Sequence, residues 1–262
     1  MEETRNNITK YYLDSLDSLD SLDSLDSLDS LDSLDSIIRY NPDIILTYQD
    51  IVDVRKYHTI GRELLCKFSN VDITLEKVNS DHPSKIDSLV TKAAVEKLSS
   101  CTLDKSHYDV LNININHESL CDKSIISSIY KINEILNLYG ISLVIELVEY
   151  TKPSRASITQ VNKLQSDGIQ FAIDDFGTGF NTIANLIWLE QPNYIKFVYN
   201  KAFPLLIKEI ESASKAFNLS PESFIVEYVD SFYKCESLKR FGLYLQQGYL
   251  FTNNFLLSQS KL

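Results

Sequence analysis

The sequence predicts an α/β fold in which a parallel-rich sheet closes into a TIM-like (β/α) barrel, preceded by a low-complexity N-terminal tract. Three observations carry this expectation. From Ile37 onward, eight short segments rich in Ile, Val, Phe or Tyr alternate with helical patterns. The 262 residues suit one barrel of about 250 residues plus a short extension. Acidic and amide residues recur near the ends of the apolar segments, where the strands of such a barrel converge on its functional face.

The N-terminal segment, residues 1–36, contains LDS repeated without variation from Leu13 to Ser36. A leucine every third residue drifts about 60° per repeat around a helix of 3.6 residues per turn, so no stable apolar face forms. Ser and Asp also compete for backbone hydrogen bonds and weaken helix interiors. The tract reads as a solvated spacer or, alternatively, as a partner-binding helix or coil, and the domain boundary is placed at residue 36. Residues 37–262 form the predicted barrel domain.

Within that domain the strand candidates, in order, are DIILTYQDIV, TIGRELLCKF, YDVLNINI, ISLVIELVEY, IQFAIDD, YIKFV, SFIVEYV and LQQGYLF. Only a short polar link, Asp53 to Thr59, separates the first two, which predicts an antiparallel pair at the start of the barrel. Helical patterns fill most of the remaining gaps. Ile86, Leu89, Val90 and Ala93 share one face; Ile125, Ile129, Ile132 and Leu136 share another, ended by Gly140; Ile158, Val161 and Leu164 repeat the pattern before Gly168.

Composition narrows the function classes. The chain is 44% hydrophobic and 23% charged, the balance of a globular protein. Its net charge is −11, but eight of the 36 acidic residues lie in the repeat; the remaining 28, against 25 basic residues, leave −3. With no basic stripe, direct nucleic-acid binding is not expected. The polar start MEETRNNITKYY has no apolar signal-peptide core, and no stretch reaches the roughly 18 apolar residues of a membrane span. A cytoplasmic protein without a membrane partner is expected. Cys66, Cys101, Cys121 and Cys235 show no CxxC spacing and read as free thiols that serve packing.

The polar residues on the strand candidates need compensation. Glu63, Asn114, Glu146, Asp174, Asp175, Lys196, Glu227 and Gln247 sit in or beside apolar runs, and each buried charge without a partner costs several kcal/mol. Convergent hard oxygen ligands suit Mg²⁺ or Mn²⁺. Any one Glu at a strand end is ordinarily a solvated rim residue. The adjacent pair Asp174-Asp175 before FGTG says more, because neighbouring carboxylates repel unless a cation or hydrogen bonds offset them, and the glycines permit a tight turn.

These motifs also carry a family resemblance. IDDFGTGFNTI resembles the IDDFGTGYSSL signature of the EAL-domain cyclic di-GMP phosphodiesterases. TYQDIVDVRKYHTIGRELL is similar to the family's YQPIVDL segment leading into EALLRW; LNININHESL resembles its Asn-bearing strand; IELVE resembles EITE; YIKFV resembles YLKID; FIVEYVDS is similar to VAEGVET; and QGYLF matches the closing segment. The resemblance spans roughly Asp43 to Phe251.

By that resemblance, Glu63, Asn114, Glu146 and Asp174 would hold one metal ion, and Asp174, Asp175 and Glu227 would surround a second, two Mg²⁺ or Mn²⁺ per site. Lys196 would position or polarise the attacking water. Gln49, Lys67 and Gln247 would contact substrate, and Glu149 and Asp230 would support loops. The implied reaction is two-metal hydrolysis of cyclic di-GMP to linear pGpG. A homodimer and a protein partner are further partners in this reading. The alternative is a degenerate EAL module that binds cyclic di-GMP or a protein and regulates without catalysis. Departures from the family pattern bear on that choice: Lys67 replaces Arg, Val198 replaces Asp, Tyr228 replaces Gly, Asp230 replaces Glu, Val148 replaces Thr and Asp50 replaces Pro.

Overall fold

A computed structural model of the chain describes residues 44–68, 83–101, 103, 108–186, 188–189, 192–199 and 203–251. The repeat and the expected boundary at residue 36 lie outside these residues. Eight strands form one closed barrel in sequence order: β1 (Ile44–Asp53), β2 (His58–Phe68), β3 (Val110–Asn116), β4 (Ser142–Val148), β5 (Gln170–Ile173), β6 (Tyr194–Val198), β7 (Phe224–Glu227) and β8 (Leu245–Gln247). Strand β1 runs antiparallel to both β2 and β8, and every other neighbouring pair is parallel. The short Asp53–Thr59 link allows no crossover, so the first two strands turn back on one another.

Among the described residues six helices accompany the strands: α1 (Pro83–Ser100), α2 (Lys123–Leu138), α3 (Arg155–Ser166), α4 (Ile183–Leu186), α5 (Phe203–Phe217) and α6 (Phe232–Arg240). Local chemistry starts several of them. The Asp122 carboxylate accepts from the Ser124 and Ile125 N–H groups at the head of α2, and Ser154 forms a capping box with Ser157 on α3. Among the described residues no helix is long and apolar enough to cross a membrane.

Alternation along the strands separates two cores. Leu111, Ile113, Ile115, Leu143, Ile145, Leu147, Phe171, Ile173, Ile195, Phe197, Phe224 and Val226 pack outward against helix residues such as Ile129, Val161, Leu206 and Leu238. The opposite face fills the barrel. Its lower layer is apolar, with Val110, Val144 and Ala172 in one cluster, Ile51, Ile225 and Leu245 in another, and Tyr194 packed against both. Gly61 belongs to this layer because a Cβ there would collide with the Val110 side chain.

The later strands are shorter than their apolar segments suggest. SFIVEYV supplies only Phe224–Glu227, and LQQGYLF only Leu245–Gln247 followed by a 3-10 turn, Tyr249–Phe251. Tyr228 leaves the strand with a positive φ of 57°, and Gly248 leaves with φ 151°, so the backbone turns before the apolar run ends. The reading of four packing cysteines needs correction as well. All four are free, but only Cys235 is buried, and Cys121 is exposed at the end of a 3-10 turn.

Candidate functional site

Above the apolar layer, the same inward alternation brings polar side chains together. On β3 the inward set passes from Val110 to Asn112 and Asn114, on β4 from Val144 to Glu146, on β6 from Tyr194 to Lys196, and on β7 from Ile225 to Glu227. Register aligns them across the sheet. Gln49 lies opposite Glu63, Asn114 beside Glu146, and Val198 beside Glu227.

Lys196 is the centre of this layer. Its side chain is 1% exposed, and its Nζ lies 2.9 Å from Glu63 Oε2, 2.8 Å from Glu146 Oε2, 3.2 Å from Asp174 Oδ1 and 3.0 Å from Glu227 Oε1. One ammonium therefore faces four carboxylates, and it holds its proton well above the ordinary lysine range because their combined charge outweighs burial. The carboxylates divide unequally. Burial pushes Glu63 up, but Lys196 and hydrogen bonds from Gln247 Nε2 at 2.5 Å and Asn114 Nδ2 at 2.6 Å bring it below its usual value. Burial and the Glu63 charge drive Glu146 well above the carboxylate range, and burial likewise raises Asp174. Burial, reinforced by Asp174, Glu63 and Asp175, pushes Glu227 up to about 8. The layer is short of positive charge.

The loop after β5 supplies the remaining acids. Asp175, Gly177 and Gly179 all take positive φ, at 41°, 93° and 46°. The turn is held by Thr178 N–H to Asp175 O at 3.1 Å, Phe180 N–H to Glu149 O at 2.9 Å, and Asn181 Nδ2 to the carbonyls of Leu147 and Asp174 at 2.6 Å each. A side chain at Gly179 would meet Glu149 O at 2.6 Å. Carboxylate oxygens of Glu149, Asp174 and Asp175 lie within 4.8 Å of one another, close enough to share a cation. A cavity of about 270 Å³ opens over this layer, with Gln49, Glu63, Asp174, Asp175, Lys196, Glu227, Tyr228, Gln247 and Tyr249 among its walls.

Comparison with known proteins places the whole arrangement. The EAL domain family profile matches residues 33–254. The chain belongs to the EAL domain family. A curated protein from Escherichia coli, "Probable cyclic di-GMP phosphodiesterase PdeA", is 27% identical over 149 residues, which is 53% of this chain and 20% of that protein. The chain thus matches about one fifth of that relative's length. The solved structure "PaMucR Phosphodiesterase, c-di-GMP complex" superposes with a TM-score of 0.63 at 18% identity, covering 85% of this chain and 96% of that one. A standalone versatile EAL protein from Vibrio cholerae, solved bound to c-di-GMP, gives a TM-score of 0.61 at 23% identity, with 81% and 92% covered. At these identities the two structures establish a shared fold.

In this EAL domain the donor set fits hard divalent cations. The available donors are carboxylate and amide oxygens, and the buried Asn114 Oδ1 accepts no hydrogen bond while its amide nitrogen is fixed on Glu63. One expected substrate contact stands apart. Lys67 lies four residues beyond Glu63 on β2, about 13 Å along the strand, and is exposed and absent from the cavity wall. Asp230, expected as loop support, pairs with Lys234 Nζ of α6 at 2.8 Å, and the same ammonium donates to Tyr228 O at 3.2 Å. Glu149, expected as loop support, gives its carbonyl to the loop and brings its carboxylate to Asp174 and Asp175.

Two contributors went unnoticed in the sequence. Asn112 is fully buried and donates to Glu146 Oε1 at 2.6 Å. Asn181 ties the acidic loop to β4. The signal for Asn112 was present in the strand period, since it lies two residues before Asn114. Asn181 stands where the quoted family signature has Ser, and nothing in its spacing marks the backbone carbonyls it reaches.

Proposed function

We propose that this EAL domain is a metal-dependent phosphodiesterase that hydrolyses cyclic di-GMP to linear pGpG. The observation that carries the proposal is one buried ammonium among four carboxylates, with two more carboxylates beside them. Such a deficit of positive charge suits a site that takes divalent ions and an anionic substrate. Glu63, Asn114, Glu146 and Asp174 would hold one ion, and Asp174, Asp175 and Glu227 a second, with the Glu149 carboxylate close to those of Asp174 and Asp175. Bound Mg²⁺ or Mn²⁺ would lower the pKa of water and offset charge on the phosphoryl oxygens.

The side chains have separate roles in this scheme. Asn112 and Asn114 fix the carboxylates of Glu146 and Glu63 through short hydrogen bonds. Lys196 Nζ, rooted in the barrel, would turn an N–H toward the attacking water and orient its lone pair at phosphorus. Gln247 donates to both Gln49 and Glu63, and its buried Oε1 accepts no hydrogen bond from the protein, which leaves it available to a substrate hydroxyl or amino group. The turn with positive φ at Asp175, Gly177 and Gly179 brings Asp175 to the cavity wall.

A second reading, a module that binds cyclic di-GMP or a protein partner without cleaving the nucleotide, has one observation in its favour. Among the described residues of the cavity wall, Lys196 is the only cation, so substrate phosphate has no second basic side chain there. Incubating the purified protein with cyclic di-GMP and Mg²⁺ or Mn²⁺, then separating products by chromatography, distinguishes the two. The enzyme reading requires pGpG, loss of turnover in chelator, and inhibition by the larger Ca²⁺ ion. Binding with no pGpG under any of these ions leaves the regulatory module.

A further inference from the structure

Tyr228 is a bulky residue held in a conformation that side chains disfavour. Its φ is 57°, in the left-handed region, where the sequence resemblance puts a glycine. Two of the three other non-glycine residues with positive φ have local settings, and the third is Asp175 in the acidic loop. Asn218 is of the short polar type that tolerates the region, and Tyr57 lies in the β1–β2 turn with its hydroxyl accepting from Lys239 at 3.3 Å. Tyr228 gains little from burial, because it is 58% exposed.

The surrounding backbone imposes the conformation. Val229 N–H bonds to Gln247 O at 3.1 Å, Leu250 N–H bonds to Val229 O at 3.0 Å, and Lys234 Nζ donates to Tyr228 O at 3.2 Å. Gly248 packs so closely on Val229 that a Cβ there would overlap its backbone. The segment is fixed from both sides, and strain kept in this way at the rim of a site is commonly tied to function. The position is informative too. Tyr228 follows Glu227, whose carboxylate is 3.0 Å from Lys196 Nζ, and it shares the cavity wall with Tyr249, itself 72% exposed. Two exposed aromatic rings therefore border a centre rich in carboxylates and poor in cations.

We infer that Tyr228 is an affinity-determining residue of the nucleotide site, whose ring stacks on a purine base of the bound nucleotide, with Tyr249 as the second wall of the slot. The inference rests on the cyclic dinucleotide reading above. A phosphodiester at Lys196 has its base one sugar away, at the rim where these rings stand. Aromatic faces accept any base, and they supply affinity at a place where the described residues of the wall offer no second cation.

The test is calorimetric titration of cyclic di-GMP into the full chain in Ca²⁺, with ligand-free thermal melts, for wild type, Tyr228→Phe, Tyr228→Leu and Tyr228→Gly. Tyr228→Phe should bind within about twofold of wild type, whereas Tyr228→Leu and Tyr228→Gly should weaken binding by about 5- to 100-fold, the range of aromatic–base stacking. Ligand-free Tyr228→Gly should melt no lower than wild type, since glycine adopts this φ without strain. Equal or tighter binding by the Leu and Gly variants overturns the inference and makes the ring a bystander or a cover. A melting temperature several degrees lower in Tyr228→Gly also overturns it, because the ring would then be packing on the protein. If wild type fails to bind cyclic di-GMP at all, the proposed function itself falls, and this inference with it.

Discussion

Lys196 sets the electrostatics of the barrel interior, and its removal separates folding from chemistry. Replacing it by Met keeps the apolar stem but leaves Glu63, Glu146, Asp174 and Glu227 facing one another in a buried layer. Breaking a buried ionic network from one side costs about 3–5 kcal/mol, so Lys196→Met is expected to lower stability by that order in urea unfolding with chelator present. Mg²⁺ or Mn²⁺ should then raise its melting temperature more than that of wild type, because the ions would supply the missing charge. An equal shift in both proteins would show that the carboxylates do not take the ions. Asn112 gives a gentler test. Asn112→Ala removes the donor to Glu146, and loss of a hydrogen bond that orients a ligand typically costs 10- to 100-fold in metal affinity, readable by Mn²⁺ titration calorimetry. The sequence showed the carboxylates, since charges in apolar strands stand out. The strand period put Asn112 on the inward face with Asn114, but only the fold shows that its partner is Glu146.

At the scale of elements, the acidic loop and the α1–β3 junction behave differently. Gly179 combines a positive φ of 46° with contact against the Glu149 backbone. Gly179→Ala is expected to cost about 1–2 kcal/mol for the left-handed conformation alone and to displace Glu149 from Asp174 and Asp175, lowering turnover more than stability. Unchanged stability and turnover would mean that the loop relaxes freely. The FGTG motif made this turn legible from sequence; the bond from Phe180 to Glu149, which anchors it, depends on two strands meeting and could not be read locally.

The α1–β3 junction holds two buried titratable groups of opposite sense. Asp87 on α1 accepts from the Asn116 N–H at 2.8 Å, yet burial pushes its carboxyl up from 3.8 to about 6. Burial pushes the His117 imidazole down from 6.5 to about 4, and neither of its ring nitrogens has a hydrogen-bond partner. A carboxyl with a raised pKa in the fold contributes stability that is fully present below its unfolded value and lost as pH rises through the folded one; a histidine with a lowered pKa contributes stability that is full above 6.5 and lost as pH falls toward 4. The two slopes nearly cancel between those limits. Asp87→Asn should therefore make stability fall more steeply than wild type as pH drops from 6.5 to 4, measured by denaturant midpoints at several pH values. Parallel profiles for variant and wild type would show that Asp87 titrates normally.

For the whole molecule, the described strands close into a barrel within Ile44–Gln247, since β1 pairs with both β2 and β8. Closure, the antiparallel start and the order of strands were legible because each apolar segment could contribute only one strand between its polar links. Strand ends were not, because Tyr228 and Gly248 turn the chain through backbone conformations that hydrophobicity does not encode. The repeat from Leu13 to Ser36 poses the remaining question at this scale. Its leucines recur every three residues, a period that lines no single helical or strand face, and its eight aspartates would meet a domain that is itself slightly acidic. Deleting it should leave the melting temperature of the barrel within a few degrees of the full chain and its intrinsic activity nearly unchanged, while the pI rises with the loss of eight carboxylates. A larger fall in melting temperature would mean that the leucines pack on the domain despite their spacing, and the tract would then count as part of the fold.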